Sequence, residues 1–248
     1  MKIAVISDIH GNMQALGAVL DEIKKEKCVK IFCLGDLAMA GPEPSKTIDK
    51  IRDLMKECDF TLIQGNTDEM IANCDNQMLH MLEENNPVMA HALECDAVEV
   101  SDVQKDFLRG LPAQKELEID GVKILLVHGS PRKNNENIFP DLTIEEVEEM
   151  IAPTKADLIF CGHTHVPCGY QTNTKQTVVN VGSVGRPFSQ EPKSCFAILE
   201  VNDGAFEISH RLVPYDVQAA AEILRQREFE GADKLAQMLI CATSRYPQ

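Results

Sequence analysis

The stretch Lys2-Ile3-Ala4-Val5-Ile6-Ser7-Asp8-Ile9-His10 joins a short apolar run to two residues that can bind metals. The run from Ile3 to Ile6 is typical of a buried β-strand. The next segment, residues 12–26, places apolar side chains at helical spacing, and Asn12 can serve as its N-cap. A strand that leads into a helix predicts βαβ units and a largely parallel sheet.

The same order of strand and helix repeats along the first two-thirds of the chain. The expected strands are Ile3–Ile6, Ile31–Leu34, Phe60–Ile63, Ile124–Val127 and Leu158–Cys161. Helices are expected after Ser45, which can cap the second helix, and after Thr143. Residues 68–111 interrupt the alternation with a stretch rich in Met, Leu, Asn and Glu, which predicts a helical insertion.

Beyond Pro167 the pattern changes to short strands joined by turns that are rich in Asn and Gly. The expected strands are Tyr170–Thr172, Thr177–Val181, Phe196–Val201 and Phe206–Leu212. Their turns predict antiparallel hairpins that form a second sheet. Residues 217–243 predict an amphipathic tail of two helices separated near Gly231. We expect a single domain over residues 1–248, to which the insertion and the tail belong.

A length of 248 residues is enough for a hydrophobic core without disulfides or structural metals. Lys and Arg number 24 and Asp and Glu number 39, so the formal net charge is -15. This charge disfavours binding to nucleic acids and to anionic membranes. A partner that carries phosphate therefore needs a local source of positive charge, which bound metal ions can supply.

The N-terminus and the cysteines both bear on the compartment. The four apolar residues before Ser7 are too few for the core of a signal peptide or for a membrane span. The nine cysteines include no Cys-x-x-Cys pair, and Cys33 and Cys161 lie in apolar runs, which is typical of reduced, buried thiols. We therefore expect a cytoplasmic protein that makes no contact with membranes.

Each predicted strand of the parallel region ends in a side chain that can bind a metal ion. The residues concerned are Asp8, His10, Asp36, Asn66, His128, His163 and His165. Ligands in open α/β sheets bind at the carboxyl ends of the strands, so these seven residues can converge despite their separation along the chain. Carboxylate, amide and imidazole groups suit divalent manganese, iron, zinc, nickel or cobalt.

Seven ligands exceed what one ion with an open coordination position needs. Two divalent ions about 3.5–4 Å apart, joined by a bridging carboxylate, would use the whole set. Asp36 is the expected bridge, because the pairs Asp8-x-His10 and His163-x-His165 can each direct two side chains from one loop. The expected cofactor is therefore a pair of divalent transition-metal ions.

Five short motifs occur in order along the chain. They are Asp8-Ile9-His10, Gly35-Asp36, Gly65-Asn66, His128 and Gly162-His163-Thr164-His165. This order resembles that of the calcineurin-like metallophosphoesterases, in which D-x-H, G-D, G-N, H and G-H-x-H follow one another. The segment Asn180-Val181-Gly182-Ser183-Val184-Gly185 resembles one in the small bacterial and archaeal phosphodiesterase branch of that family.

The resemblance implies an α/β fold of four layers, an α/β/β/α sandwich of two mixed β-sheets flanked by helices. It implies that one metal ion is bound by Asp8, His10, Asp36 and His165, and the other by Asp36, Asn66, His128 and His163. A hydroxide between the ions would attack phosphorus in line. Asp36, Asn66 and His128 are the ligands expected to act in catalysis.

Thr67 departs from the motif, because many members of the superfamily have a histidine directly after G-N. Threonine cannot donate a proton near neutral pH, so the group that protonates the leaving oxygen is not identified. Asp68 is a candidate for this acid, although its position at the start of the insertion favours a helix cap.

Other side chains are candidates for contacts with a substrate. Met70, Met78, Met81 and Met89 are expected in the core and alternatively in a lid over the substrate. The cations Arg132, Lys133 and Arg186 can bind phosphate or be solvated surface charges. The remaining histidines, His80, His91 and His210, lie away from strand ends and are expected outside the site.

The sequence therefore predicts a dinuclear metal hydrolase of a small phosphate ester, while the substrate, the native metal and the oligomeric state stay open. A phosphodiesterase is favoured over a protein phosphatase, since the latter is expected to have the histidine that Thr67 replaces. The alternatives are a phosphomonoesterase or protein phosphatase, a non-catalytic binding scaffold on the same fold, and a DNA repair nuclease. The net charge argues against the nuclease, and the complete set of ligands argues against the scaffold.

Overall fold

Two five-stranded mixed sheets lie at the centre of the structure, a computed structural model that describes residues 1–189 and 191–244. Each sheet contains parallel strands that are extended by antiparallel hairpins. Helices pack against the outer faces of both sheets. The chain therefore forms the four-layer α/β/β/α sandwich that the sequence predicts.

The first sheet is built around the N-terminal strand. Its strands are β1 (Lys2–Ile6), β2 (Lys30–Cys33), β3 (Asp59–Leu62), β9 (Lys193–Asn202) and β10 (Ala205–Pro214). Their order across the sheet is β10-β9-β1-β2-β3. β1, β2 and β3 run parallel, whereas β9 pairs antiparallel with both β1 and β10.

The second sheet contains the other five strands. They are β4 (Gln114–Ile119), β5 (Val122–Val127), β6 (Leu158–Cys161), β7 (Cys168–Gln171) and β8 (Thr177–Asn180). Their order is β4-β5-β6-β8-β7. β5, β6 and β8 run parallel, and β4 and β7 complete the two edges through antiparallel pairs.

The helices lie between and after these strands. They are α1 (Met13–Lys25), α2 (Pro44–Glu57), α3 (Asn66–Ala72), α4 (Asn76–Asn85), α5 (Pro87–Glu99), α6 (Asp102–Arg109), α7 (Ile144–Ile151), α8 (Val217–Arg225) and α9 (Ala232–Cys241). α3 to α6 fill the segment that interrupts the strand–helix alternation, and α8 and α9 form the C-terminal tail. Asn12 caps α1 as expected, because its side chain accepts a hydrogen bond from the Ala15 N–H.

Three apolar clusters hold the layers together. One lies between the two sheets and includes Val5, Phe32, Leu126 and Phe160. A larger cluster joins the first sheet to α1, α2, the insertion and the tail, and a third joins the second sheet to α7. The central strands are thus buried on both faces, which explains their nearly continuous apolar sequences.

The strand β4 and the pairing of the hairpins differ from the sequence-based predictions. β4 is not predicted because its residues, Gln-Lys-Glu-Leu-Glu-Ile, are mostly polar and exposed, as suits a strand at a sheet edge. The two predicted hairpins do not build one sheet together: β7 and β8 join the second sheet, whereas β9 and β10 join the first. A turn specifies its own hairpin, but the neighbouring strand depends on tertiary packing.

The predicted N-cap of α2 is wrong. α2 begins at Pro44, and Glu43 occupies the cap position. Proline is favoured in the first helical turn because its missing N–H has no partner there. Ser45 lies inside that turn, where its hydroxyl donates a hydrogen bond to Gln104 of α6 at 3.2 Å.

Within the described part of the chain, no helix combines the length and hydropathy needed to cross a bilayer. The nine cysteines are all unpaired, and Cys33, Cys161 and Cys195 are buried.

Candidate metal centre

The seven predicted ligands meet where the carboxyl edges of the two sheets face each other. Asp8 and His10 follow β1, Asp36 follows β2, Asn66 opens α3 beyond β3, His128 follows β5, and His163 and His165 follow β6. Both sheets therefore contribute side chains to one cluster, as expected for strand ends in an α/β fold.

Five of these residues have a left-handed backbone. They are Asp8 (φ 56°), His10 (φ 47°), Asp36 (φ 53°), His163 (φ 64°) and His165 (φ 61°). Residues other than glycine adopt this conformation at a cost of roughly 1–3 kcal/mol each, so the surrounding structure must hold them. Gly162 is part of that structure: a Cβ there would lie 2.5 Å from Oδ2 of Asp8, the atom that accepts the His163 N–H.

Asp8, His10 and His165 form one group of metal-capable atoms. Nε2 of His165 lies 3.2 Å from Oδ1 of Asp8 and 3.1 Å from Nε2 of His10. Among the described residues, Oδ1 of Asp8 has no hydrogen-bond partner although it is buried. Burying an unpaired carboxylate oxygen is costly, and a cation at this position would satisfy it.

Asp8, Asp36 and His128 form a second group. Oδ2 of Asp36 lies 3.3 Å from Nε2 of His128 and 3.6 Å from Nε2 of His10. Oδ1 of Asn66 is 3.0 Å from the same nitrogen of His128, so an amide oxygen adds to the carboxylates. The two groups share Asp8 and lie side by side.

Backbone carbonyl groups orient three of the imidazole rings. The pairs are Nδ1 of His10 with the Met39 oxygen (3.0 Å), Nδ1 of His128 with the Leu34 oxygen (2.8 Å) and Nδ1 of His165 with the Arg186 oxygen (2.6 Å). A carbonyl oxygen only accepts, so each Nδ1 carries a proton and each neutral ring presents a lone pair at Nε2. Hydrogen bonds of this kind commonly orient metal-binding histidines.

The atoms that face the centre of the cluster are therefore acceptors: carboxylate oxygens, an amide oxygen and imidazole nitrogens. Acceptors packed within 4 Å of one another repel unless a positive charge lies among them. Oxygen and nitrogen donors of these types suit divalent transition metals. The residues present thus fit metal binding, and the two adjoining groups provide positions for two ions.

The pKa values show the same demand for positive charge. Burial acts to lower the pKa of His128, but the carboxylates of Asp36 and Asp8 outweigh it and raise this pKa to about 10. Burial likewise acts to raise the pKa of Asp8, yet the nearby His165 and His128 hold it well below its ordinary value. Burial lowers the pKa of His165, which favours the neutral ring that metal binding requires.

His163 lies beside the two groups rather than within them. Its ring contacts that of His128, with centroids 5.3 Å apart, and it is half-buried. The bridging carboxylate has two candidates: Asp8 belongs to both groups, and Oδ2 of Asp36 faces both His10 and His128. Asp36 as the bridge stays a prediction.

Thr67 makes one hydrogen bond to Asp36 and one to the loop that follows Asp36. Its N–H donates to Oδ1 of Asp36 at 2.9 Å, and its hydroxyl donates to the Ala38 carbonyl at 2.9 Å. The free oxygen of Asp36 is thereby directed toward the histidines. Sequence reasoning considered Thr67 only for the histidine it lacks, and this orienting role is visible only in the structure.

Asp68 holds the same loop from the other side. Its carboxylate accepts the N–H groups of Gly65, Asp36 and Leu37, each at 2.9 Å. Burial, followed by the charge of Asp36, raises the pKa of Asp68 to about 7. Asp68 is fully buried and caps α3, in agreement with the interpretation that the sequence favours.

Residues 180–185, at the end of β8 and directly after it, contact the backbone around the candidate ligands. The Ser183 hydroxyl donates to the Asp8 carbonyl at 2.8 Å, and Nδ2 of Asn180 donates to the Gly162 carbonyl at 2.7 Å. Nδ2 of Asn12 donates to the Gly185 carbonyl at 2.8 Å. The sequence identifies the segment 180–185 only through its resemblance to a family motif, because these contacts join residues far apart in the chain.

A cleft of about 260 Å³ opens onto the ligands. Beyond the ligands and Thr67 it is lined by Asn86, Met89, Arg186, Phe188, Met238 and Ser244. The insertion helix α5 and the tail thus form walls of the cleft. The Phe188 ring stacks on His165, with centroids 4.5 Å apart.

Arg186 is the one Lys or Arg that lines this cleft within residues 1–189 and 191–244. It is 7% exposed, and its guanidinium lies 5.8 Å from the centre of the Phe188 ring. Arg132 pairs instead with Glu136 and Glu149, and Lys133 is exposed. Of the three cations considered from the sequence, Arg186 is the one placed to meet a phosphate.

The other candidates lie elsewhere. Met89 reaches the cleft, whereas Met70, Met78 and Met81 line a separate surface groove. His80 is exposed and lies near Glu84, His91 lies near the Glu230 carbonyl, and His210 bonds to the Asn180 carbonyl.

The comparisons with known proteins agree with this geometry. The sequence profile of the calcineurin-like phosphoesterase superfamily domain matches residues 1–204. The chain belongs to the calcineurin-like phosphoesterase superfamily. It is also 33% identical over 236 residues to the uncharacterized protein MJ0912 of Methanocaldococcus jannaschii, an alignment that covers 89% of this chain and 90% of that protein.

Solved structures from an archaeon and a bacterium have the same fold as this calcineurin-like phosphoesterase. The hypothetical protein PH1004 of Pyrococcus horikoshii OT3 aligns with a TM-score of 0.85 at 25% identity, covering 95% of this chain and 97% of that one. A metallophosphoesterase of Sphaerobacter thermophilus aligns with a TM-score of 0.78 at 24% identity, covering 98% and 100%. Membership in the superfamily indicates a hydrolase of phosphate esters that binds divalent metals.

Proposed function

We propose that this calcineurin-like phosphoesterase is a dinuclear metal-dependent phosphodiesterase that hydrolyses a small phosphate diester. One observation carries the proposal. Buried acceptor atoms of Asp8, His10, Asp36, His128 and His165 converge within 4 Å of their neighbours, and His10, Asp36 and His165 of this set line a cleft.

The ligands divide into two sets. Asp8, His10, Asp36 and His165 would hold one ion, and Asp36, Asn66, His128 and His163 the other. Two divalent ions supply a hydroxide nucleophile at neutral pH and positive charge for the phosphoryl oxygens. Manganese, iron, zinc, nickel and cobalt all suit these donors.

The side chains around the ligands orient the ester. The Arg186 guanidinium lies in the cleft and can donate hydrogen bonds to a non-bridging phosphoryl oxygen, where charge increases in the transition state. Met89 and Phe188 provide apolar surface beside it for the rest of the substrate. Carbonyl groups hold the histidine rings in place, so little reorganisation accompanies the reaction.

Charge favours a diester, and the lack of a proton donor favours a stable leaving group. A phosphodiester carries one negative charge at neutral pH, whereas a monoester carries about -1.5 to -2. The single guanidinium of Arg186 complements the smaller charge. The Thr67 hydroxyl already donates to Ala38 and cannot protonate a leaving oxygen, so substrates with stable leaving groups are favoured.

The cleft favours a small substrate. Its volume is about 260 Å³, and Met89 of the insertion and Met238 of the tail form part of its walls. A formal charge of -15 disfavours nucleic acids, as the sequence indicates.

The test is turnover with defined metals. Protein purified without chelators is analysed for bound metal and then assayed with bis(p-nitrophenyl) phosphate and p-nitrophenyl phosphate under manganese, nickel, cobalt, iron and zinc. We expect two ions per chain and a higher kcat/KM for the diester. His128→Ala serves as the inactive control, and His80→Ala, which changes an exposed histidine, should match the wild type.

The alternatives have distinct outcomes in the same assay. A higher kcat/KM for the monoester would favour a phosphomonoesterase and contradict the proposal. Bound metal without turnover of either ester would favour a binding scaffold. Activity that His128→Ala retains would show that the hydrolysis comes from a contaminant.

A further inference from the structure

The loop of residues 37–41, between β2 and α2, lies beside the candidate metal centre. It is buried, and Met39 (φ 87°) and Ala40 (φ 57°) both have left-handed backbones. Such residues are strained and persist only where other contacts hold them. This 37–41 loop therefore depends on its partners for its conformation.

Each partner of the loop comes from a different element. The Ala38 carbonyl accepts the Thr67 hydroxyl (2.9 Å), the Met39 carbonyl faces Nδ1 of His10 (3.0 Å), the Ala40 N–H donates to Oδ2 of Asp96 (2.8 Å), and the Gly41 carbonyl accepts Nη1 of Arg227 (2.8 Å). The insertion and the tail thus form hydrogen bonds to Ala40 and Gly41, directly after Met39, whose carbonyl faces His10.

Asp96 and Arg227 also form an ion pair with each other. Asp96 lies on α5, Arg227 follows α8, and Nη1 of Arg227 is 2.5 Å from Oδ1 of Asp96. The side chains are 0% and 7% exposed. Arg227 additionally contacts Glu99 at 2.8 Å and lies over the Phe229 ring.

Stability alone does not account for this pair. Removing two charges from water is unfavourable, and replacing a buried pair by apolar residues is often neutral or stabilising. A paired carboxylate and guanidinium do, however, specify the positions of the two backbone groups that they bind. The Ala40 N–H and the Gly41 carbonyl are those groups, and they lie one and two residues beyond Met39, whose carbonyl faces His10.

We propose that Asp96 and Arg227 are positioning residues that hold the 37–41 loop so that Met39 orients His10 toward the metal position it shares with Asp8 and His165. The proposal rests on the proposed metal-dependent function. It predicts an unequal effect on the two positions. His128 is oriented by the Leu34 carbonyl, and the N–H groups of Asp36 and Leu37 are held by Asp68, so the position that includes His128 depends less directly on the ion pair.

The experiment compares Arg227→Met, Arg227→Lys and the wild type. Arg225→Met is the matched control, because Arg225 lies two residues away and pairs only loosely with exposed Glu222 and Asp233 at 3.6 and 3.8 Å. Metal-stripped proteins are titrated with Mn²⁺ by calorimetry. The long-range ¹H–¹⁵N spectrum of the same metal-stripped samples reports the His10 tautomer.

For Arg227→Met we expect about 10–100-fold weaker binding at one of the two positions, the range found when partners of metal ligands are removed. The other position should keep its affinity, and His10 should lose its single Nδ1–H tautomer. Arg227→Lys should be intermediate, since a lysine can pair with Asp96 but cannot also span to Gly41. Arg225→Met should behave as the wild type.

Other outcomes would overturn the proposal. If Arg227→Met lowers Tm but retains both affinities and the His10 tautomer, the pair is only structural. Should Arg227→Met fail to fold, the near-isosteric Asp96→Asn undergoes the same two measurements under the same criteria. If the wild type itself binds no Mn²⁺, the proposed function fails, whereas the tautomer measurement still reports on the positioning of His10.

Discussion

The Nε2 atoms of His10 and His165 lie 3.1 Å apart, although both rings direct Nδ1 at a backbone carbonyl. Two nitrogen lone pairs at this distance repel each other in neutral rings, and a cation between them turns repulsion into attraction. His10 follows a strand of the first sheet and His165 a strand of the second. An ion bound there would therefore join the two sheets.

Metal removal should abolish hydrolysis and lower thermal stability while the fold persists. A ligand that binds only the native state stabilises it by mass action, and ions that join two sheets should do so here. The apolar clusters between the layers do not depend on the ions. Scanning calorimetry and far-UV circular dichroism with and without a chelator test this. Full activity in excess chelator would contradict it.

Asp36→Asn should lower metal occupancy at both positions. Oδ1 of Asp36 accepts the Thr67 N–H, so the substituted amide would keep its oxygen there and direct its NH₂ toward His10 and His128. A donor in place of a carboxylate oxygen removes a ligand and a negative charge. Metal analysis of Asp36→Asn and Asp8→Asn provides the comparison. If Asp8→Asn loses both ions and Asp36→Asn only one, Asp8 is the bridge.

Arg186→Met should reduce kcat/KM for diesters by about 10–100-fold, because a hydrogen bond to a charged group is worth about 1.5–3 kcal/mol. The backbone carbonyl of Arg186 that orients His165 is unaffected by the change in side chain. Metal content should therefore stay at the wild-type level. Arg132→Met, which removes a cation outside the cleft, is the control. Equal kinetics for wild type and Arg186→Met would exclude a role in phosphate binding.

The rate should depend steeply on the pKa of the leaving group, since Thr67 cannot donate a proton. General acid catalysis typically contributes about 10²–10⁴-fold, and alkyl diesters should be slower than aryl diesters on that scale. Thr67→His should recover part of this difference for poor leaving groups, at the cost of the hydrogen bond to Ala38. A series of aryl and alkyl diesters at saturating metal tests both variants. A flat dependence in the wild type, with chemistry rate-limiting, would indicate another acid.

The unfolding free energy should report the titration of Asp96. Burial, only partly offset by Arg227, raises the pKa of Asp96 to about 6 from its ordinary value of 3.8. Between these pH values the native state retains a proton that the unfolded chain has lost. Stability contributed by this group therefore falls as pH rises through the window, by at most about 1.4 kcal/mol per pH unit.

Asp96→Asn removes this titration. Denaturant unfolding from pH 4 to 8 should show the stability of the wild type relative to Asp96→Asn decreasing up to about pH 6 and levelling above it. A difference that is constant over the whole range would show that Asp96 has an ordinary pKa in the native state.

Local patterns in the sequence predict the candidate ligands, which the structure brings together, and most of the central strands. Apolar runs such as Ile3–Ile6 and Leu158–Cys161 predict buried strands, and the polar residues that follow them predict a site at the strand ends. Both inferences use residues that are neighbours in the chain. The metal-capable residue types are likewise readable without a structure, since ligand chemistry belongs to the side chain.

Contacts between distant segments required the folded structure. The sequence could not show that Arg186 lines the cleft and Arg132 does not, because the walls of the cleft come from segments far apart in the chain. It also could not show that the two C-terminal hairpins join different sheets, since a turn specifies only its own two strands. The carbonyl partners of the histidines depend on the same long-range packing.

The contacts of the 37–41 loop with the insertion and the tail are the clearest example of features that only the folded structure shows. Asp96 and Arg227 are 131 positions apart, from 96 to 227, and neither lies in a motif. The apolar residues of α5 show little helical periodicity, and periodicity does not specify the partner that a buried face meets. The packing of the helices onto the first sheet determines that partner. A buried charge is removed from water, so it can pair only with the groups that packing places beside it.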